Sequence, residues 1–211
     1  MMERSRVFFL LLFLTGCILL GAGCTSPRVG DTHNTTVVIQ DFNTWAGQQK
    51  AYYGDAHSAL TQLGTTLDTY NHDTAGDSSD PGTLRGDVAA DQQALARWGA
   101  GSAALGTATD TFSSETASLD FGNDQDALQL TGLLGQEMKI YSIDMGNAQQ
   151  HFIDYERDLS GYLSVDDPDY RDDSLRMAAI DAKAAALSSL SDGDDTLSNI
   201  TATAHLLQER Q

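Results

Sequence analysis

Apolar and aromatic residues recur at alternating steps of four and three along Leu134, Met138, Tyr141, Met145, Ala148, Phe152, Tyr155, Leu159 and Tyr162. That pattern averages about 3.5 residues, the spacing at which one stripe of an α-helix faces another helix. Such a stripe cannot satisfy itself. It must be buried against similar stripes, so the rest of the chain is expected to supply them.

Three further stretches do. The first runs from about Thr36 to about Tyr70, with Val38, Phe42, Trp45, Gln49, Tyr52, Ala56, Ala59, Leu63, Leu67 and Tyr70 on one seam. The second runs from about Pro81 to about Ser118. Leu84, Trp98, Leu105, Phe112 and Leu119 form a seven-residue comb there, and Asp91 is its only polar tooth. The clearest seam predicts a third helix from about Asp124 to about Leu163. A fourth, from about Pro168 to about Gln208, carries smaller residues: Leu175, Ala179, Ala182, Ala186, Leu190, Gly193, Leu197, Ile200, Ala204 and Leu207. The run Asp192-Gly193-Asp194-Asp195 interrupts it without changing its phase, which predicts one kinked helix. Asp80-Pro81 and Asp167-Pro168 read as helix starts, a capping acid before a proline in the first turn. Asn123-Asp124-Gln125-Asp126 is a third start, with acids placed to meet the helix dipole. Four helices of similar length with short links predict an all-α fold, an elongated antiparallel up-down-up-down four-helix bundle over residues 36–211.

The N-terminal segment has a different character. Arg4 and Arg6 precede the apolar run from Val7 to Leu20, and Gly21-Ala22-Gly23 leads to Cys24. A basic head, an apolar stretch and a small-residue exit make a secretory signal. The apolar run falls short of the roughly 20 residues that a spanning helix needs. Small residues ending on a cysteine resemble the lipobox of prokaryotic lipoproteins. In that family the cysteine thiol receives a diacylglyceryl group and becomes the mature N-terminus. Two cysteines compete for the role. Leu14-Thr15-Gly16-Cys17 fits the motif better locally, because leucine sits three before the cysteine. Gly21-Ala22-Gly23-Cys24 departs from it at Gly21. Cys24 is favoured, because polar Thr25-Ser26-Pro27-Arg28 follows it, whereas Ile18-Leu19-Leu20 follows Cys17. The expected organisation is a signal over 1–23, a flexible stalk over 24–35 and the bundle beyond. The resemblance implies an exported protein held to a membrane by lipid, facing the outside or a periplasm.

Both cysteines of the chain lie in this segment, so the folded body offers no thiol catalysis, disulfide or cysteine-held metal. The formal net charge is −18, with 30 acids against 12 lysines and arginines. A surface so negative repels phosphate backbones and argues against nucleic acid as a partner. Neither Gly-x-Ser-x-Gly nor a Gly-rich phosphate loop occurs, so no catalytic constellation supports an enzyme.

Other groups invite a ligand reading. Glu137, Asp144, His151 and Asp158 repeat every seven residues beside the third seam, as metal-binding bundles arrange their ligands, but a solvated flank has the same pattern. Met138, Met145, Met177 and His205 have haem-ligand chemistry, although methionine on an apolar seam is ordinary filler. Asn34-Thr35-Thr36 and Asn199-Ile200-Thr201 are glycosylation sequons, and Asn34 is the better placed if it lies in the stalk. In the up-down topology two acidic links share the end far from the anchor. They gather Asp73, Asp77, Asp80, Asp166, Asp167 and Asp169, a weak divalent-cation site in one reading and helix caps in the other. No cofactor is otherwise implied. The reading that follows is a lipid-anchored, non-enzymatic envelope module that contacts another envelope protein. The alternative is a sensor-type bundle that binds a small ligand or metal.

Overall fold

The computed structural model describes residues 32–74, 81–165 and 170–210, with side chains from Asn34 to Leu63, at Thr66 and, within those ranges, from Arg85 onward. Four helices account for nearly all of them: α1 (Thr32–Thr74), α2 (Pro81–Thr116), α3 (Gln125–Leu163) and α4 (Asp173–Gln208). No described residue forms a strand. The fold is a helical bundle, as the seams predict. The shortest helices have 36 residues, roughly 54 Å at the usual rise.

Local chemistry explains the boundaries. Asp124 caps α3, its carboxylate accepting from the Ala127 N–H at 2.9 Å, and Asp126 lies in the first turn. Between α2 and α3, Gly122 adopts φ 57°, a left-handed conformation open to a residue without a Cβ. Its N–H donates to Asp120 Oδ1 at 2.8 Å, and neighbouring Phe121 is buried under the bundle end.

Two boundaries differ from expectation. α1 starts at Thr32, so the last four residues of the expected stalk are helical; the signal and the rest of the stalk lie outside the described residues. α4 starts at Asp173, not near Pro168. Asp172 is its cap, accepting from the Ser174 N–H at 2.9 Å, and the Ser174 hydroxyl together with this N–H holds the Asp172 carboxyl below its usual range. Pro168 and Asp167 are outside the described residues. Through Asp192–Asp195, α4 continues as one helix, as the unchanged phase of its seam predicts. Gly193 faces α3 there, and a Cβ on it would come within 2.8 Å of Met145 Sδ. The glycine serves close approach between helices, not a break, while the adjoining aspartates stay on the solvent side.

The seams form one continuous core. Trp45, Tyr52 and Leu63 of α1, Trp98, Leu105 and Phe112 of α2, Leu134 through Leu159 of the α3 seam, and Ala186, Ile200 and Leu207 of α4 are all buried. Each helix packs chiefly on its neighbours in the chain, α3 and α4 most extensively, whereas α1 and α4 scarcely touch. Contacts at the helix ends are specific. The Asn34 side-chain amide donates to the Asp120 carbonyl. Arg85, near the start of α2, donates to the Leu163 carbonyl at the end of α3 at 3.1 and 3.3 Å. Arg210, just past α4, bridges Asp124 at 3.0 Å and Asp126 at 2.7 Å.

Candidate functional site

Polar groups enter the core where α1, α2 and α3 meet, and most are satisfied there. Trp45 Nε1 donates to Thr109 Oγ1 at 2.9 Å, and Thr109 in turn donates to the Leu105 carbonyl at 3.0 Å. Gln49 donates to the Tyr141 hydroxyl at 3.2 Å, and Trp98 Nε1 to the Tyr52 hydroxyl at 2.5 Å. Burial pushes both phenols above their usual range, so they remain neutral. The aromatics pack on one another: Trp45 meets Tyr141 edge-on at 6.0 Å between centroids, and Trp98 tilts against Phe152 at the same distance. All of these aromatics stand on the seams that the sequence turns inward, and here they pack against each other.

One pair breaks this rule. Asp91 of α2 is 0% exposed and Glu156 of α3 is 1% exposed, the only carboxylates so enclosed among the described residues. They face each other, and Thr66 and Gln62 of α1 lie beside Asp91. None of the four carboxylate oxygens has a partner at hydrogen-bond geometry, and no basic side chain reaches them. Burial, then the charge and contact of Asp91, push the Glu156 carboxyl up to about 9. Burial also raises Asp91, a rise that Thr66, Glu156 and Gln62 oppose and the charge of Asp87 reinforces. The comb of α2 flagged Asp91 as a polar residue on an apolar face. Glu156 was missed, although it lies four after Phe152 and three before Leu159, within the width of the seam.

The other candidates fall elsewhere. Glu137, Asp144, His151 and Asp158 are all half-buried on the flanks of α3. Glu137 lies beside Thr203, and Asp144 accepts from Thr196 at 3.4 Å, so this part of the stripe lines the α3–α4 junction. Burial raises both carboxyls. No three metal-ligating side chains gather among the described residues. Met138 and Met145 are core filler, while Met177 and His205 are exposed. Asn34 belongs to α1, not to a stalk, and its half-buried amide is engaged with Asp120; Asn199 is the exposed sequon asparagine. Cys24 and Cys17 lie outside the described residues, as do Asp77, Asp80, Asp166, Asp167 and Asp169. The helical backbone includes Asp73, but its side chain is not described. No described helix is long and apolar enough to cross a membrane.

The outer surface is asymmetric. Leu128, Leu133, Ile140, Ile143 and Ile153 of α3 are exposed, as are Met177, Ile180, Leu187 and Leu206 of α4. No described large apolar side chain of α1 or α2 is. From Leu128 to Gln150, moreover, no exposed residue of α3 is acidic, and Lys139 is the only charged one. Such a face on a strongly acidic chain is unusual for free solvent.

No family model matches this chain, and neither curated proteins nor solved structures yield a match.

Proposed function

We propose that the chain is a lipid-anchored, non-catalytic envelope protein. Its bundle is an interaction module, tethered through Cys24 and presenting the outer surface of α3 and α4 to another envelope protein. The observation that carries this reading is the confinement of described exposed large apolar side chains to those two helices and the link between them, together with the stretch of α3 whose exposed residues include no acid. Interfaces are depleted of acids and enriched in large apolar groups at their centres, and solvent-facing surfaces of acidic proteins are not. The basic head, apolar run and cysteine of the N-terminal segment support the anchor. The helix-end contacts of Asn34, Arg85 and Arg210 support an up-down-up-down course. In that course the lipid holds the start of α1 at the membrane and the module stands away from it.

Two measurements test the reading. Cys24→Ser should release the protein from membranes; continued lipidation of that variant, with loss in Cys17→Ser, moves the anchor to Cys17. A photo-crosslinker at position 143 should join one discrete protein in intact cells, and one at Lys50 on α1 should not. Ile140→Asp with Ile143→Asp should abolish the adduct formed from a crosslinker at position 133 while leaving the helical signal intact. Equal labelling from both helices, or no discrete adduct from α3, would remove the interaction face.

A further inference from the structure

The enclosed carboxylates raise a question of charge balance that the outer surface and the anchor leave untouched. An unpaired carboxylate in an apolar interior costs several kcal/mol, and two facing each other cost more. Asp91 and Glu156 have no lysine or arginine beside them to offset this; the Thr66 hydroxyl and the Gln62 amide lie next to Asp91, but none of the four oxygens has a donor at full hydrogen-bond geometry. A shared proton would make one O–H···O bond and so engage one oxygen of each group. Even with Thr66 and Gln62 serving the second Asp91 oxygen, the second Glu156 oxygen would still be buried without a donor. A divalent cation accounts for all four and cancels both charges. The remaining neighbours are oxygen donors too. Thr66, itself fully buried, directs its hydroxyl hydrogen to the Gln62 carbonyl at 3.4 Å, which leaves its lone pairs available. The Gln62 amide now lies beside Asp91 as a donor, and turning it over would supply its carbonyl as another oxygen.

We infer that Asp91, Glu156, Thr66 and Gln62 form a binding site for one calcium-class cation where α1, α2 and α3 converge. Both carboxylates acting through two oxygens, with the threonine hydroxyl and the glutamine carbonyl, offer six oxygens, within the range calcium takes. Magnesium is disfavoured, because it keeps several of its waters and the two carboxylates are closed to solvent. The ligands come from three helices, so the ion would tie α1 to the α2–α3 pair. This site is distinct from the acidic links considered from the sequence.

The test uses the purified full chain after treatment with a chelator. Calcium titrated by calorimetry should bind with one tight equivalent and raise the melting temperature. Glu156→Gln keeps the shape and removes a charge, so it should fold yet bind calcium at least tenfold more weakly. Asp91→Asn should do the same, and Asp195→Asn, on the exposed side of α4, should bind as the parent does. No heat and no shift in melting temperature at millimolar calcium would overturn the site. So would undiminished binding in both core variants, which would assign the ion to surface acids. A melting temperature that follows pH but ignores calcium would show that the pair holds a proton only, and would overturn it equally.

Discussion

At the scale of single residues, the core owes its specificity to aromatic side chains that carry a polar end. Tyr52 accepts the Trp98 N–H deep in the bundle, where neither reaches water. Tyr52→Phe removes the acceptor and leaves the indole donor stranded, at an expected cost of about 1–3 kcal/mol. Denaturant unfolding should resolve this, and Tyr53→Phe, on the half-buried neighbour, should cost less. Phe152 is buried against Trp98 by size alone. Phe152→Ala is expected to lose about 3–5 kcal/mol in the same assay, and a loss below about 1 kcal/mol would mean that the site collapses around the gap.

At the scale of helices, glycine has two opposite roles. Gly47 of α1 is exposed, with open space where a Cβ would be. Gly47→Ala should therefore stabilise the fold by up to about 1 kcal/mol through helix propensity. Gly193 of α4 lies against Met145 Sδ, and Gly193→Val should destabilise by about 1–3 kcal/mol as the two helices are pushed apart. Thermal melts of the two variants should shift in opposite directions. Helices were legible in the sequence because period and caps are local. The α3 seam was read correctly from Leu134 to Leu159, and the start of α3 at Asp124 followed from its cap. The start of α4 was misread, because Asp167-Pro168 and Asp172-Asp173 carry equally good start signals and only packing chooses between them. Asp91 was visible as an exception to a pattern, but its partner was not. Glu156 is one acid among 30. What sets it apart is the absence of any base nearby, and that depends on how three helices converge.

For the whole molecule, the enclosed carboxyls set the response to pH. Glu156 holds its proton up to about 9 in the fold, whereas an unfolded chain releases it near 4.5. Between those values the folded state binds more protons, so raising the pH drains stability. The effect is absent below the unfolded value and complete above the folded one. In chelator-containing buffer the melting temperature should fall steadily from about pH 5 to about pH 9, and Glu156→Gln should flatten much of that slope. A parent protein equally stable across the range would mean that Glu156 is ionised throughout. The packing order has a kinetic consequence as well. Because α1 packs chiefly on α2 and scarcely touches α4, it is the least enclosed, border helix of the four, although Trp45 and Gln49 also reach Tyr141 of α3. Gln62 and Thr66 sit on that border helix, over the carboxylates of the next two. Partial detachment of α1, short of global unfolding, is then the natural passage to the interior, and amide exchange should find it in α1 before α3. The border helix would act as a slow door, and ions would enter and leave at the rate at which it swings.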